Sequence, residues 1–464
     1  MVKQVYRRLR RIHLVGIGGT GMSGIAEVLL NLGYKVSGSD LQANEATERL
    51  SRLGAEINIG HRKENVHGAD VVVISSAIRP DNVEVKEARQ LKIPVIPRAE
   101  MLAELMRMKY GIAVAGSHGK TTTTSMIALV LEAGGFDPTI VVGGRLNKIG
   151  SHGKLGTGDF MVAEADESDR SFLYLSPFIA VLTNIDYEHL DHYRNLDDLK
   201  KTFVDFANKV PFYCPVILCL DDPNLQDLIP RIERKIITYG FSSQADIFAR
   251  SLRFAAFESW ANLFYRNQPL GELHLQVPGW HNILNAMAAV AVGLDLDIPV
   301  EAIFKALENY SGTGRRFELK KRINEIMIIE DYAHHPTEIK ATLEAAKEGF
   351  HRRLVVIFQP HRYTRLFHLL KSFAMSFNQA DVLILTEVYP AGEDPIPGIN
   401  GQALFEAVQE YGHKNVLYEP EMNRLPEIVS RLIEPGDMIL VLGAGNISRI
   451  IPEIIQRLEA ELKK

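Results

Sequence analysis

The sequence predicts an α/β protein of three domains, and three observations predict it. At 464 residues the chain is about three times the usual domain length of roughly 150. Short β-branched runs alternate with helical stretches almost from end to end, as strand, crossover helix and parallel strand require. Glycine-rich loops stand at two places where a strand hands over to a helix.

Taken in order, the first unit runs through strand Ile12–Val15, helix Ser23–Leu32, strand Tyr34–Ser37, helix Thr47–Leu53 and strand Val71–Ser75. A second opens at Tyr110, where YGIAVAGSHGKTTTTSMIALVLE reads as buried strand, tight loop and helix. Its further strands are expected at Phe160–Ala163, Ile179–Thr183 and Val216–Leu220. Polar and aromatic residues alternate from Asp246 to Leu270, as antiparallel strands do. A third unit follows the turn-rich SGTGRR at Ser311–Arg316. It carries IMIIED, LVVIFQ, DVLILT and DMILVLGAG, each ahead of a helix-like stretch, a doubly wound pattern. The domains are therefore expected at 1–108, 109–312 and 313–464.

Hydrophobic residues make up 46%, enough for each unit to bury a core. The 52 basic and 57 acidic side chains give a net charge of −5, without a long run of either sign. Such a balance excludes a nucleic-acid clamp and a polybasic membrane binder, and it favours small-molecule partners. Cys214 and Cys219 are the only cysteines, too few for a disulfide framework and in keeping with a reducing compartment. The basic start MVKQVYRRLRR leads into strand-like IHLVGIGG rather than an apolar signal core. No apolar run approaches the roughly 20 residues that span a bilayer. The expectation is a soluble cytoplasmic protein, monomer or homodimer, without membrane insertion.

Gly16, Gly18 and Gly21 in GIGGTG fit the dinucleotide fingerprint, and Asp40 ends the next strand, where an acid can hold ribose hydroxyls. Bare backbone there lets a pyrophosphate approach the N–H groups of a helix start. The ligand class is a nucleotide diphosphate, which NAD and UDP-sugars both satisfy. The second loop, Gly116-Ser117-His118-Gly119-Lys120-Thr121, matches a P-loop except at Val114, where strict spacing asks for glycine. It keeps the amides that surround phosphate, a lysine for the β and γ oxygens and a hydroxyl for Mg²⁺. Helix-start dipole help of about 0.3–1 kcal/mol is too small for a triphosphate, so Lys120 and a metal must carry the neutralisation. Ligands for that metal belong at neighbouring strand ends. Glu164 after FMVA and His189 in TNIDYEHLDHY occupy such places, with Asp166 and Glu167 as further candidates.

Later signals are fewer. GWHNILNAMAAV places His281, Asn282 and Asn285 near a helix start, where the amides suit an adenine edge or ordinary capping equally. Arg315 and Arg316 follow a glycine turn, within reach of a transferring phosphoryl group. Tyr332, His334, His361, Arg362 and Arg365 lie just past two strands, on the side where such sheets bind ligands, and together can grip a small carboxylate.

The series GIGGTGMSGIAE, AGSHGKTTTT, AEADESD, TNIDYEHLDHY, GWHNILNA, GTGRRFE, DYAHHPTEI and PHRYTR resembles the Mur ligases of bacterial cell-wall synthesis over nearly the whole chain. The resemblance implies the joining of L-alanine to UDP-N-acetylmuramate, and valine at the Val114 position is usual for that family. It implies an N-terminal Rossmann-like domain for the UDP-sugar, a central P-loop ATPase domain and a C-terminal Rossmann-like domain for the amino acid. On this resemblance Gly18, Gly19, Thr20, Gly21, Met22, Ser23, Asp40 and Ser75 would hold UDP-N-acetylmuramate. ATP would be held by Gly116, Ser117, His118, Gly119, Lys120, Thr121, Thr122, Asn282, Asn285, Arg316 and Asp331, and Mg²⁺ by Thr121, Glu164 and His189. Tyr332, His334, His361, Arg362 and Arg365 would hold L-alanine, and Lys120, His189, Arg316 and His334 would act in the reaction. The activity implied is acyl-phosphate formation followed by amide formation, with His334 as a base for the amine. The rivals are a recycling ligase that attaches a preformed tripeptide, an NAD-dependent dehydrogenase and a non-catalytic nucleotide switch. The dehydrogenase leaves AGSHGKTTTT without a purpose.

Overall fold

A computed structural model describes residues 9–75, 77–146, 151–188 and 192–461. Contacts divide the chain into two compact units: Met1–Arg250 with Asn262–Leu273 and Leu284–Tyr310, and Ser251–Ala261 with His274–Ile283 and Ser311–Lys464.

The first unit holds a five-stranded parallel sheet in the order Glu56–Ile59, Lys35–Asp40, Arg11–Val15, Val71–Ile74, Val95–Pro97. The chain winds outward from Arg11–Val15 first to one side and then to the other. The first glycine loop, which follows that strand, therefore lies where the winding reverses, the position at which such sheets leave a crevice.

A second sheet is built the same way around Tyr110–Ala115, which pairs in parallel with Phe160–Glu164 on one side and Ile179–Leu182 on the other. The central strand is apolar and buried beyond Tyr110 (Gly111 to Ala115), as expected of a parallel strand covered on both faces. Pro215–Cys219 and Lys235–Gly240 extend it beyond Ile179–Leu182. Strands Ile247–Ala255, Glu258–Tyr265 and Gln268–Leu275 complete that edge. Two-residue turns join them, as only antiparallel hairpins allow, and Arg266 and Asn267 both take the positive φ that such turns need (48° and 65°). Cys214 and Cys219 are free and buried, and burial pushes the Cys219 thiol up to about 12.

The second unit carries a six-stranded sheet in the order Glu318–Ile323, Ile326–Asp331, Met438–Leu442, Leu354–Phe358, Val382–Leu385, Val416–Tyr418. Only its first strand is antiparallel. Its strands alternate sides: Met327, Ile329, Val356, Phe358 and Leu440 enter one buried cluster, while Ile328, Val355, Ile357 and Ile439 enter the other. Burying each such side chain is worth about 1.5–3 kcal/mol, so two covered faces fix the register that places the loops after Asp331, Phe358 and Leu442. Among the described residues no helix is long and apolar enough to cross a membrane.

Candidate functional site

The first glycine loop is bound to the strand beside it. Gly16 and Ile17 donate their amides to the Ser39 carbonyl (2.8 and 3.0 Å), and Gly18 donates to Asp40 Oδ2 (2.8 Å). A Cβ on Gly18 would stand 2.6 Å from Asn44 Nδ2 and 2.9 Å from that same carboxylate oxygen. Asp40, expected to face ribose, thus also ties the loop in place. Helix Thr20–Asn31 begins behind Gly19 with no side chain capping its amides among the described residues, an anion-receptive end. Met22 and Ser23 are buried side chains, so the loop would meet a ligand there through backbone. Ser75 lies beside Gly16, its Oγ 3.2 Å from where a Cβ would sit.

The second loop joins Tyr110–Ala115 to helix Lys120–Ala133. Gly116 has φ +140°, and a Cβ there would lie 2.1 Å from Thr183 Oγ1. Thr183 and Asn184, just past the neighbouring strand, pin the loop. Ser117 N donates to the Asn184 carbonyl (3.1 Å), His118 N to Asn184 Oδ1 (2.8 Å), and Thr183 Oγ1 to the His118 carbonyl (2.6 Å). Asp186 N donates to Ser117 Oγ (2.8 Å), and His118 Nε2 lies 3.2 Å from Asp186 Oδ2. Gly119 is left-handed (φ +79°), with Asn285 Oδ1 2.6 Å from its missing Cβ.

Lys120 curls over this loop. Its Nζ donates to the Gly116 and Ser117 carbonyls (2.5 and 3.2 Å) and to Glu167 Oε1 (2.9 Å), whose side chain is 1% exposed. Burial works against its charge, yet Glu167 and Asp166 hold the ammonium above its ordinary range, so it stays protonated. Thr121 and Thr122 are buried in the first turn of the helix. Glu164 ends the strand beside the loop, in register with Val114. The carboxylate of Glu164 and the hydroxyl of Thr121 are hard oxygen donors of the kind Mg²⁺ takes. His189 lies outside the described residues. Asn285 Oδ1 accepts from Thr123 Oγ1 (3.1 Å), and Asn282 Nδ2 donates to the Pro278 carbonyl (2.7 Å).

In the second unit Asp331, at the end of its strand, accepts from Phe317 N and Ala333 N (both 2.7 Å). Burial raises its carboxyl to about 6 despite the charge of Arg316. Arg315 and Arg316 lie over the Tyr332 ring (4.8 and 5.2 Å to the centroid). Arg315 also grips Glu330 (2.7 Å) and the Gly443 carbonyl (2.9 Å). The Tyr332 and His334 rings are 5.2 Å apart, those of His334 and His361 5.9 Å, and Arg365 reaches His361 at 3.1 Å. Four of the five expected carboxylate-binding residues therefore form one patch. Arg362 turns to Glu393 (2.5 Å). His334 Nδ1 lies 3.0 Å from the Tyr332 carbonyl and 3.1 Å from Glu338 Oε2. Both are acceptors, which suits a hydrogen on Nδ1.

The sequence reading passed over Thr183 and Asn184, although TNID follows an apolar run as EADE does. Glu167 stood there only as a metal candidate. Tyr389, stacked on His361 at 5.5 Å, and Glu393 lie in the loop after strand Val382–Leu385, whose apolar run marked the strand but singled out no residue beyond it.

Three family models match in sequence: Mur ligase family, catalytic domain, over 11–110; Mur ligase middle domain, over 114–293; and Mur ligase, glutamate ligase domain, over 315–445. The UDP-N-acetylmuramate--L-alanine ligase of Geotalea daltonii is 56% identical, covering 98% of this chain and 99% of that protein. That of Geobacter sulfurreducens is 54% identical, covering 98% and 99%. Among solved structures, the UDP-N-acetylmuramate-alanine ligase of Thermotoga maritima aligns with a TM-score of 0.84 at 30% identity, covering 97% and 99% of the two chains. A murein peptide ligase of Psychrobacter arcticus aligns at 0.72 and 24% identity, over 97% and 98%, a likeness of fold.

Proposed function

The chain belongs to the Mur ligase family, and from that we propose that it joins L-alanine to the lactyl carboxylate of UDP-N-acetylmuramate, with ATP giving ADP and phosphate, in peptidoglycan precursor synthesis. Both nucleotides are cytoplasmic metabolites, and the reading places the reaction there. The observation that carries it is the arrangement at Lys120: an ammonium folded onto its own glycine loop and held there by a buried carboxylate.

A carboxylate does not condense with an amine at neutral pH, because oxide will not leave. In this reading a lactyl oxygen attacks the γ-phosphorus, ADP departs, and an acyl phosphate results. The alanine nitrogen then adds to the acyl carbon, and phosphate leaves as the amide forms. Lys120 would meet the charge developing on the γ-phosphate oxygens, a charge to which the family resemblance also assigns Arg316. Thr121 and Glu164 fit Mg²⁺ by donor chemistry, and the ion when bound would neutralise phosphate charge. Tyr332, His361 and Arg365 would seat the alanine carboxylate, and His334 Nε2 would take the proton from its ammonium. Asn282 and Asn285 are assigned to adenine, and Asp331 to ribose.

The test is ADP release in the presence of ATP, Mg²⁺, UDP-N-acetylmuramate and either L-alanine or the L-alanyl-γ-D-glutamyl-meso-diaminopimelate tripeptide. Release should need the sugar nucleotide and L-alanine, and K120A should abolish it. Release with the tripeptide alone would transfer the chain to the recycling activity, and full turnover by K120A would refute the phosphate role.

A further inference from the structure

Helix Pro336–Phe350 opens on His335 as its N-cap, and Glu338 completes a capping box by accepting from the His335 amide at 3.3 Å. That is the longest of three contacts at Glu338 Oε2. The same oxygen accepts from the His334 amide at 3.0 Å and lies 3.1 Å from His334 Nδ1. The other oxygen, Oε1, accepts from Arg316 Nη1 at 3.5 Å. The side chain is only 11% exposed, so water competes little for these partners. Amides, a ring N–H and a guanidinium are all donors, the company that suits an ionised, acceptor-only carboxylate.

A cap asks for one oxygen on one amide. It gives no reason for that oxygen to meet an imidazole as well, or for the second to meet a guanidinium. Both of those groups are also held from another direction: His334 Nδ1 lies 3.0 Å from the Tyr332 carbonyl, and Arg316 lies over the Tyr332 ring. A carboxylate against one ring nitrogen sets the orientation of an imidazole and which nitrogen reacts. We infer that Glu338 is a positioning residue for both halves of the reaction: one oxygen orients His334 for the alanine amine, and the other seats Arg316 for the transferring phosphoryl group. The inference rests on the parts given to His334 and Arg316 in the proposed reaction. Glutamine and aspartate separate it from capping. Glutamine has the length of glutamate and completes a capping box equally well. It has one acceptor oxygen and a donating NH₂, so it cannot accept from His334 and Arg316 on separate oxygens. Aspartate keeps the charge and both oxygens on an arm one methylene shorter.

The experiment is steady-state ADP release by the full chain with ATP, Mg²⁺, UDP-N-acetylmuramate and L-alanine, alongside thermal melting, for the wild type, E338Q, E338D, H334A, R316A and the H334A/E338Q pair. E338Q should melt within about 2 °C of the wild type because its cap is kept. Its kcat should nevertheless fall at least about tenfold, the scale on which misplaced reacting groups are felt, while KM for UDP-N-acetylmuramate holds within about twofold. E338D should recover part of the lost turnover. Added to H334A, E338Q should cost clearly less than it costs the wild type, since one of the groups it orients is already gone. A capping or packing role predicts the reverse order, with the isosteric E338Q above E338D. E338Q turnover within about twofold of the wild type, a loss matched by a lowered melting midpoint, or E338D at or below E338Q overturns the proposal. Wild-type turnover in H334A or R316A would instead remove that residue from the reaction, and with it the premise on which the proposal stands.

Discussion

Glu167→Gln tests whether the buried ion pair is a built-in competitor of nucleotide. At 2.9 Å the two charges attract by about 6 kcal/mol at an effective dielectric near 20. Desolvation cancels much of that, and losing one member of a buried pair costs about 3–5 kcal/mol. Lys120 keeps its contacts to the Gly116 and Ser117 carbonyls and the field of Asp166, so the low end, about 3 kcal/mol, is expected. The unliganded variant should melt roughly 5 °C lower, read as an apparent midpoint because the chain has more than one unit. Nucleotide changes the sign. In the wild type a triphosphate must draw Lys120 away from Glu167, whereas in the variant the ammonium awaits an anion. If half of the 3 kcal/mol is regained in the complex, metal-free ATP-analogue affinity rises about tenfold. Differential scanning fluorimetry and calorimetry, both in EDTA, measure the two effects, and leaving out Mg²⁺ separates them from any role of Glu167 as a metal ligand. A variant that melts like the wild type, or binds metal-free nucleotide more weakly, refutes the competition.

G116A should lose about 100-fold or more in kcat/KM, the scale on which a misplaced phosphate cradle is felt, because its Cβ would lie 2.1 Å from Thr183 Oγ1 at φ +140°. Wild-type turnover would show that the loop relaxes freely. R365A removes a charge-assisted partner worth about 1.5–3 kcal/mol, so the KM for L-alanine should rise about 10- to 100-fold while that for ATP holds. A rise for ATP alone would misplace the acceptor pocket. Asp331 titrates near 6 when folded against 3.8 when unfolded, so the folded state holds the extra proton. Its contribution to stability is present below about pH 4 and lost as pH rises to about 6, up to about 3 kcal/mol. Denaturation across that window should slope downward in the wild type and less in D331N, and equal slopes would deny the raised carboxyl.

What the sequence disclosed and what it withheld follow one physical division. Strands such as Tyr110–Ala115 and Leu354–Phe358 are buried on both faces and read as unbroken apolar runs. Strands Glu56–Ile59 and Glu318–Ile323 lie at sheet edges, with mostly exposed or half-buried residues, and carry no such signal. Loops that hold ligand through backbone advertise themselves by glycine, because only a missing Cβ clears Thr183 at Gly116 or Asn285 at Gly119. Side chains that complete those loops from elsewhere leave no local trace. Glu393 lies 31 positions beyond Arg362, and Asn184 is an ordinary residue until the sheet places its strand beside the phosphate loop. Hence Gly116 was legible as a loop glycine from spacing alone, but not the Thr183 hydroxyl that approaches it. The backbone's need is written in one residue, while its partner is set by the order of strands.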